Sequence, residues 1–252
     1  MNNITLGILG GLGPMSGVIF CEMLTEHTKA ERDQDHLNFL LSSRADTPDR
    51  TDFILGVSKD DPAPSMISEV KKLTSAGADM IVIPCNTAHY FYERISEASP
   101  VPVINIIEQT VAFCKSRELS KVGVLATRGT TFSGAYETVF KKAGIVYETC
   151  NEAEQRIISD VIYNYIKKGI IPEKKLFAGV AEAMFSRGCE AVVLGCTELS
   201  LLKRSYGLGA EFIDSLEVLA LSAIRMCGKE ATGFDSELMK FHPERKNIYV
   251  IE

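Results

Sequence analysis

Short runs of apolar residues, rich in Val, Ile and Leu, alternate along the chain with longer stretches whose apolar positions recur at helical spacing. The runs predict strands over residues 4–9, 37–41, 80–83, 101–104, 121–125, 146–149, 191–194 and 212–213. Between them, segments such as 65–76 and 154–168 are amphipathic and predict helices. This alternation is the rhythm of parallel sheets covered by helices. Strands buried on both faces read as continuously apolar, and these do.

Laid on itself, the chain repeats. "LGILGGLG" from Leu6 matches "VGVLATRG" from Val122, with Gly7 over Gly123 and Gly13 over Gly129. Further on, Ser75, Gly77, Asp79 and Cys85 fall on Ser186, Gly188, Glu190 and Cys196, and the "PVIN" that ends at Asn105 falls on the "EFID" that ends at Asp214. Three landmarks in the same order imply an internal duplication of an α/β unit of about 110 residues. Each copy carries one cysteine at the same address, just past a strand. In open parallel sheets ligands bind beyond the carboxyl ends of the strands, so both thiols belong to the functional edge.

Composition narrows the partners. The chain has 252 residues, 46% of them hydrophobic, which suits one large or two small α/β domains. Its net charge of −6 and the lack of a Lys/Arg stripe with interleaved aromatics argue against nucleic acid and for a small-molecule partner. No apolar stretch approaches the roughly 18–20 residues that span a bilayer, and the N-terminus lacks a signal pattern, so a cytoplasmic protein without a membrane partner is expected. Seven cysteines, none in a C-x-x-C pair, read as free thiols, and four scattered histidines give no support for a metal site.

Cys21, Cys114, Cys150, Cys189 and Cys227 read as small buried hydrophobes. Cys85 and Cys196 differ, because polar residues follow each: Asn86-Thr87 and Thr197-Glu198. Asn and Thr are favoured helix N-caps. A thiol at a helix N-terminus has its thiolate stabilised, which lowers its pKa and lets it act as a base. His89, four residues after Cys85, offers a competing Cys-His hydrolase, although a hydrolase gives no reason for the second cysteine. The glycine-rich "ILGGLGPMSG" fails as a dinucleotide fingerprint, since Ser16 stands where the third glycine belongs and Pro14 intrudes. Taken alone, Arg50 in "DTPDRT" is an ordinary surface arginine and Lys167 a solvated helix-end lysine.

Together, "GILGGLGP", "PDRT", "PCNTAH", "ATRGT", "KKG" and "GCTEL" resemble, in order, the motifs of the PLP-independent amino-acid racemases of the aspartate/glutamate racemase superfamily, and most closely the aspartate racemases. The likeness covers nearly all of residues 4–228. It implies two pseudo-symmetric three-layer α/β domains, here 1–104 plus 215–252 and 105–214, with the site in the cleft between them. It also implies a homodimer, an amino-acid substrate, no cofactor, and Cys85 and Cys196 as acid and base on opposite faces of the substrate Cα. Asn86, Thr87, Thr127, Thr130, Thr197 and Glu198 are implied around the α-carboxylate and amine, and Arg50 and Lys167 as cations for carboxylates. The chain departs from glutamate racemases in having Gly10-Gly11 in the first loop and Glu198 after the second Cys-Thr, and from aspartate racemases in having Arg44-Ala45-Asp46 before "PDR". The stretch from Glu230 onward extends past the likeness. A single-thiol decarboxylase or isomerase acting on another dicarboxylate, and a non-catalytic amino-acid-binding module, remain open on the residues alone.

Overall fold

A computed structural model describes residues 4–235 and 238–239. Eight strands form two four-stranded sheets. The first contains β1 (Thr5–Gly10), β2 (Asn38–Ser43), β3 (Met80–Val82) and β4 (Val103–Ile104) in the order β2-β1-β3-β4. The second contains β5 (Lys121–Leu125), β6 (Val146–Thr149), β7 (Ala191–Leu194) and β8 (Phe212–Asp214) in the order β6-β5-β7-β8. Every pairing within them is parallel. All eight lie where the apolar runs predicted. The central strands are almost wholly buried, whereas β2 and β6 are half exposed. Each of those two is an edge strand with a neighbour on one side only, so continuous double-sided burial does not extend to them.

The duplication extends to side-chain detail. Asp79 Oδ2 accepts the Thr5 N–H at 2.8 Å, and Glu190 Oε2 accepts the Ser120 N–H at 2.7 Å, each joining the start of one central strand to that of the next. Asn105 and Asp214 both cap helices, accepting from Ile107 N and Leu216 N respectively. Gly77 and Gly188 both adopt the left-handed region, φ +98° and +86°, in the turns after helices Ala63–Ser75 and Lys174–Ser186. A side chain at either turn would be strained.

Two helices, Ile106–Ser116 and Ser215–Met226, join the halves. Their Ile107, Val111, Leu216, Leu219 and Ala223 share one core with Leu6, Ile8 and Val82 of the first sheet and Val122, Val124 and Val193 of the second. Each fully buried aliphatic side chain contributes about 1.5–3 kcal/mol, so this common core holds the two sheets in a fixed relation. The outer face of each sheet has its own cluster, centred on Met66, Val70 and Leu73 in one half and on Phe177, Val180 and Met184 in the other.

The predicted helix over 154–168 is not one regular helix. It starts at Glu152 behind an Asn151–Glu154 capping box, changes to a π-helical turn at Val161–Tyr165, and ends in a 3-10 turn at Ile166–Lys168. Such insertions re-aim side chains and concentrate at functional sites. After Glu230 the chain folds back on the helix Pro14–His27: Lys29 N–H donates to Glu230 O and Thr232 N–H to His27 O, both at 2.9 Å. Residues 236–237 and 240–252, with His242 and the end of the expected first domain, lie outside the described residues. Among those described, no helix is long and apolar enough to cross a membrane.

Candidate functional site

In each sheet the chain leaves the carboxyl ends of two adjacent central strands in opposite directions, which opens a crevice there. β1 and β5 deliver Leu12 and Thr127, while β3 and β7 deliver Cys85-Asn86-Thr87 and Cys196-Thr197-Glu198. Asp49, Arg50 and Thr51 enter from the segment after β2, and Tyr163 and Lys167 from the distorted helix after β6. Together these residues line one cavity of about 10 Å³. That is room for about one water, so the lining must shift to admit an amino acid. Of the ten residues singled out from sequence, nine line this cavity. Thr130 lies one hydrogen bond behind it.

Arg50 is buried, not a surface arginine. Its Nη2 donates to Leu12 O at 2.6 Å, and its Nη1 to Pro48 O at 3.0 Å and Thr47 O at 3.3 Å. One guanidinium thus ties the loop after β1 to the loop after β2, while its buried Nε–H has no partner. Arg44 and Asp46 pair with each other at 2.9 Å outside the cavity lining, and Arg44 also bonds Glu69.

The expectation that Asn86 caps a helix fails. Its Nδ2 donates to Ser215 Oγ at 2.9 Å and its Oδ1 accepts from Tyr136 OH at 2.8 Å, so the side chain anchors the Cys85 loop to the second half and to the joining helix. A 3-10 turn, Thr87–Phe91, follows instead of a regular α-helix. His89 is also committed: Nδ1–H faces Cys85 O at 2.9 Å, while Nε2 accepts the Ile106 N–H at 3.1 Å. With both nitrogens bound to backbone, His89 has none left to serve Cys85 as a base, which removes the main support for a Cys-His hydrolase.

On the other side, Cys196 Sγ donates to Glu198 Oε2 at 3.0 Å. The second carboxylate oxygen is 3.5 Å from Lys167 Nζ. Lys167 Nζ also lies over the Tyr163 ring, 5.1 Å from its centroid, so the ammonium reaches the cavity while the residue as a whole stays exposed. Gly13 makes room for this arrangement, since a Cβ there would lie 2.5 Å from Glu198 Oε1. Hydroxyls bridge the halves. Thr87 Oγ1 is 2.9 Å from both Thr127 Oγ1 and Thr130 Oγ1, Thr197 Oγ1 donates to Pro84 O at 3.2 Å, and Tyr163 OH donates to Thr51 Oγ1 at 2.9 Å.

The thiol acidities run against the helix-terminus expectation. Burial pushes Cys85 up, Arg50 draws it back, and a weaker push from Glu198 adds to burial, which prevails. Cys196 is pushed further, by burial and then by the Glu198 carboxylate, with Lys167 opposing. Burial lowers Lys167, but Glu198 and the two cysteines outweigh it and leave the ammonium raised. Desolvation of a thiolate costs more here than one short turn of N–H dipoles returns. Leu12, Asp49, Thr51 and Tyr163 were not foreseen. Asp49 and Thr51 adjoin Arg50 in "PDRT", and that adjacency was the one available signal. All seven cysteines are free, and no cluster of three or more His, Cys, Asp or Glu suited to a metal occurs among the described residues.

A profile of the Asp/Glu/Hydantoin racemase family matches residues 9–223. The chain belongs to this family. It is an isomerase, an amino-acid racemase. The aspartate racemase of Picrophilus torridus is 29% identical and superposes with a TM-score of 0.77 over 91% of this racemase and 96% of its own chain. A putative Asp/Glu racemase from Yersinia pestis is 25% identical, with a TM-score of 0.76 over 89% and 99%. The broad specificity amino-acid racemase RacX of Bacillus subtilis is 26% identical over 225 residues, 87% of this racemase and 96% of RacX. The Aquifex aeolicus glutamate racemase is 33% identical over 167 residues, 64% and 63% of the two chains.

Proposed function

We propose that this racemase interconverts L- and D-aspartate, and related acidic amino acids, by a two-base exchange between Cys85 and Cys196 without a cofactor. The observation that carries the reading is that both thiols, at matching addresses of the duplication, line one cavity. Inversion of a stereocentre needs a base on one face of the carbon and an acid on the other. One thiolate takes the Cα proton, the carbanion is held by donors and cations around its carboxylate, and the opposite thiol returns a proton. A decarboxylase or a binding module has no use for the second thiol.

Two cations favour an acidic substrate over a neutral one. Arg50 keeps an unpartnered Nε–H, and Lys167 shares the cavity with it. The likeness to the Picrophilus aspartate racemase supports the same choice, and the likeness to RacX makes a broad range the alternative. Thr87, Thr127 and Thr197 supply hydroxyls near the carboxylate and amine, and Thr130 supports Thr87 and Thr127 from behind. Asn86 contributes by holding the Cys85 loop, with one amide hydrogen to spare. The proposal includes the division into 1–104 plus 215–252 and 105–214, each with one sheet, and a homodimer, for which the resemblance to aspartate racemases is the support. The seven free thiols favour a reducing compartment such as the cytoplasm. Racemisation measured with Cys85→Ala and Cys196→Ala on aspartate, glutamate, alanine and serine tests the reading. Each variant should lose turnover in both directions, with aspartate the preferred wild-type substrate. Full turnover in either variant would overturn the two-thiol mechanism, and equal rates on all four amino acids the acidic specificity.

A further inference from the structure

Duplication delivers two identical thiols, yet a two-base exchange needs them to differ, one holding its proton while the other has lost it. The repeat breaks its own symmetry. Two residues after Cys196 stands Glu198, and two residues after Cys85 stands Thr87. Thr87 turns its hydroxyl to Thr127 and Thr130, whereas Glu198 turns a carboxylate oxygen to Cys196 Sγ at 3.0 Å. Glu198 is 8% exposed, and a glycine at position 13 leaves its carboxylate the space it occupies. Lys167 and Tyr163 face the Cys196 side from the distorted helix, and the cavity lining opposite contributes Arg50, Asp49 and Cys85. Among the described residues no carboxylate is hydrogen-bonded to Cys85.

Building on the two-cysteine reading, we propose that Glu198 is a catalytic residue that makes Cys196 the resting acid and leaves Cys85, beside Arg50, as the resting base. In the form that acts on the first enantiomer the Cys196 S–H donates to the Glu198 carboxylate, and Cys85, the more acidic of the two raised thiols, is the thiolate. Cys85 takes the Cα proton and becomes a thiol, the electron pair stays on the substrate as a carbanion, and the Cys196 S–H proton passes to the opposite face. Turnover therefore ends with a Cys196 thiolate beside the Glu198 carboxylate. Two negative charges at this separation, largely out of water, repel, so this form takes up a proton from solvent at the Cys196–Glu198 pair and releases one from Cys85. One proton enters and one leaves.

The form competent for the other enantiomer is thus the costlier one. Because the enantiomers are equal in free energy, kcat/KM is the same in both directions, and the asymmetry falls in kcat and KM separately. The burial of both thiols, and the additional rise at Cys196 caused by Glu198, agree with this order.

The test titrates each thiol by ultraviolet thiolate absorbance, Cys85 in the Cys196→Ala variant and Cys196 in the Cys85→Ala variant, with the double alanine variant as blank for the other five cysteines. Cys196 should titrate above Cys85. Adding Glu198→Gln, which keeps the shape and removes the charge, should lower the Cys196 titration by about one to three pH units and move Cys85 less. Glu198→Asp, which withdraws the carboxylate by one methylene, should give an intermediate value and serves as the second variant should the glutamine protein not fold. Cys196 titrating at the same pH with and without the carboxylate, or below Cys85, would overturn the proposal. These titrations need no turnover, so they fail independently of the two-cysteine reading, which falls if either single alanine variant still racemises.

Discussion

Replacing Arg50 by lysine separates two duties that one guanidinium performs. Its Nη atoms hold three carbonyls, Leu12 O at 2.6 Å, Pro48 O at 3.0 Å and Thr47 O at 3.3 Å, on two loops that leave neighbouring strands. Its buried Nε–H has no partner, and under the proposed function it is the donor offered to substrate. A lysine keeps the charge but ends in one compact ammonium that cannot reach carbonyls on both loops. Hydrogen bonds to a charged group contribute about 1.5–3 kcal/mol each. Allowing the lysine to keep one or two of the three, the variant loses about 3 kcal/mol. For a chain of this size that is a fall in Tm of about 6–12 °C. Because the loops after β1 and β2 line the cavity, kcat/KM should fall for alanine and serine as well, with a further loss of about tenfold for aspartate and glutamate where the Nε–H is missing. Thermal denaturation followed by circular dichroism, together with steady-state kinetics on the four amino acids, measures both. An unchanged Tm with losses confined to the acidic substrates would refute the loop-tying role. A large fall in Tm with equal losses on all four would refute the substrate-binding one.

Three further outcomes follow from the same contacts. His89 has its pKa lowered to about 4 by burial, so the fold keeps it neutral while the unfolded chain protonates it near pH 6.5. Its stabilising share is therefore present above about pH 6.5 and is lost as pH falls toward 4, by about 3 kcal/mol in all. Urea unfolding at neutral and acidic pH should show this loss reduced in His89→Gln, and an identical pH dependence in the variant would count against it. Tyr163→Phe removes the bond to Thr51 that crosses the cleft, worth about 1 kcal/mol, and should raise KM about fivefold with a smaller effect on kcat; an unchanged KM would mean that this contact does not help to close the site. Lys203 and Glu217 form a fully buried pair at 2.6 Å, so Lys203→Met should cost about 3–5 kcal/mol, and adding Glu217→Leu should recover most of it in denaturant melts.

The inner strands were legible because a strand buried on both faces has to be apolar throughout, and the two thiols because the duplication repeats their address. The limits have physical causes. A switch from α to π hydrogen bonding leaves the apolar period almost intact, so 154–168 read as one helix, and neither the inward aim of Lys167 nor the presence of Tyr163 could be seen. Asn86 was misread because its partners, Ser215 and Tyr136, are distant in the chain, and local cap rules do not register them. The sign of the thiol shifts was missed for a related reason: a helix terminus is visible in sequence, but the desolvation that outweighs it belongs to the assembled cavity.

The most direct test of two opposed thiols is Cα-proton exchange in D2O with Cys85→Ser and Cys196→Ser, L- and D-aspartate being followed separately by NMR. A lone thiol can remove a proton from one face only and must return deuterium to that same face. Each variant should therefore exchange one enantiomer slowly with retention, the two variants should choose opposite enantiomers, and neither should racemise. Exchange of the same enantiomer by both variants, or racemisation by either, would contradict the account.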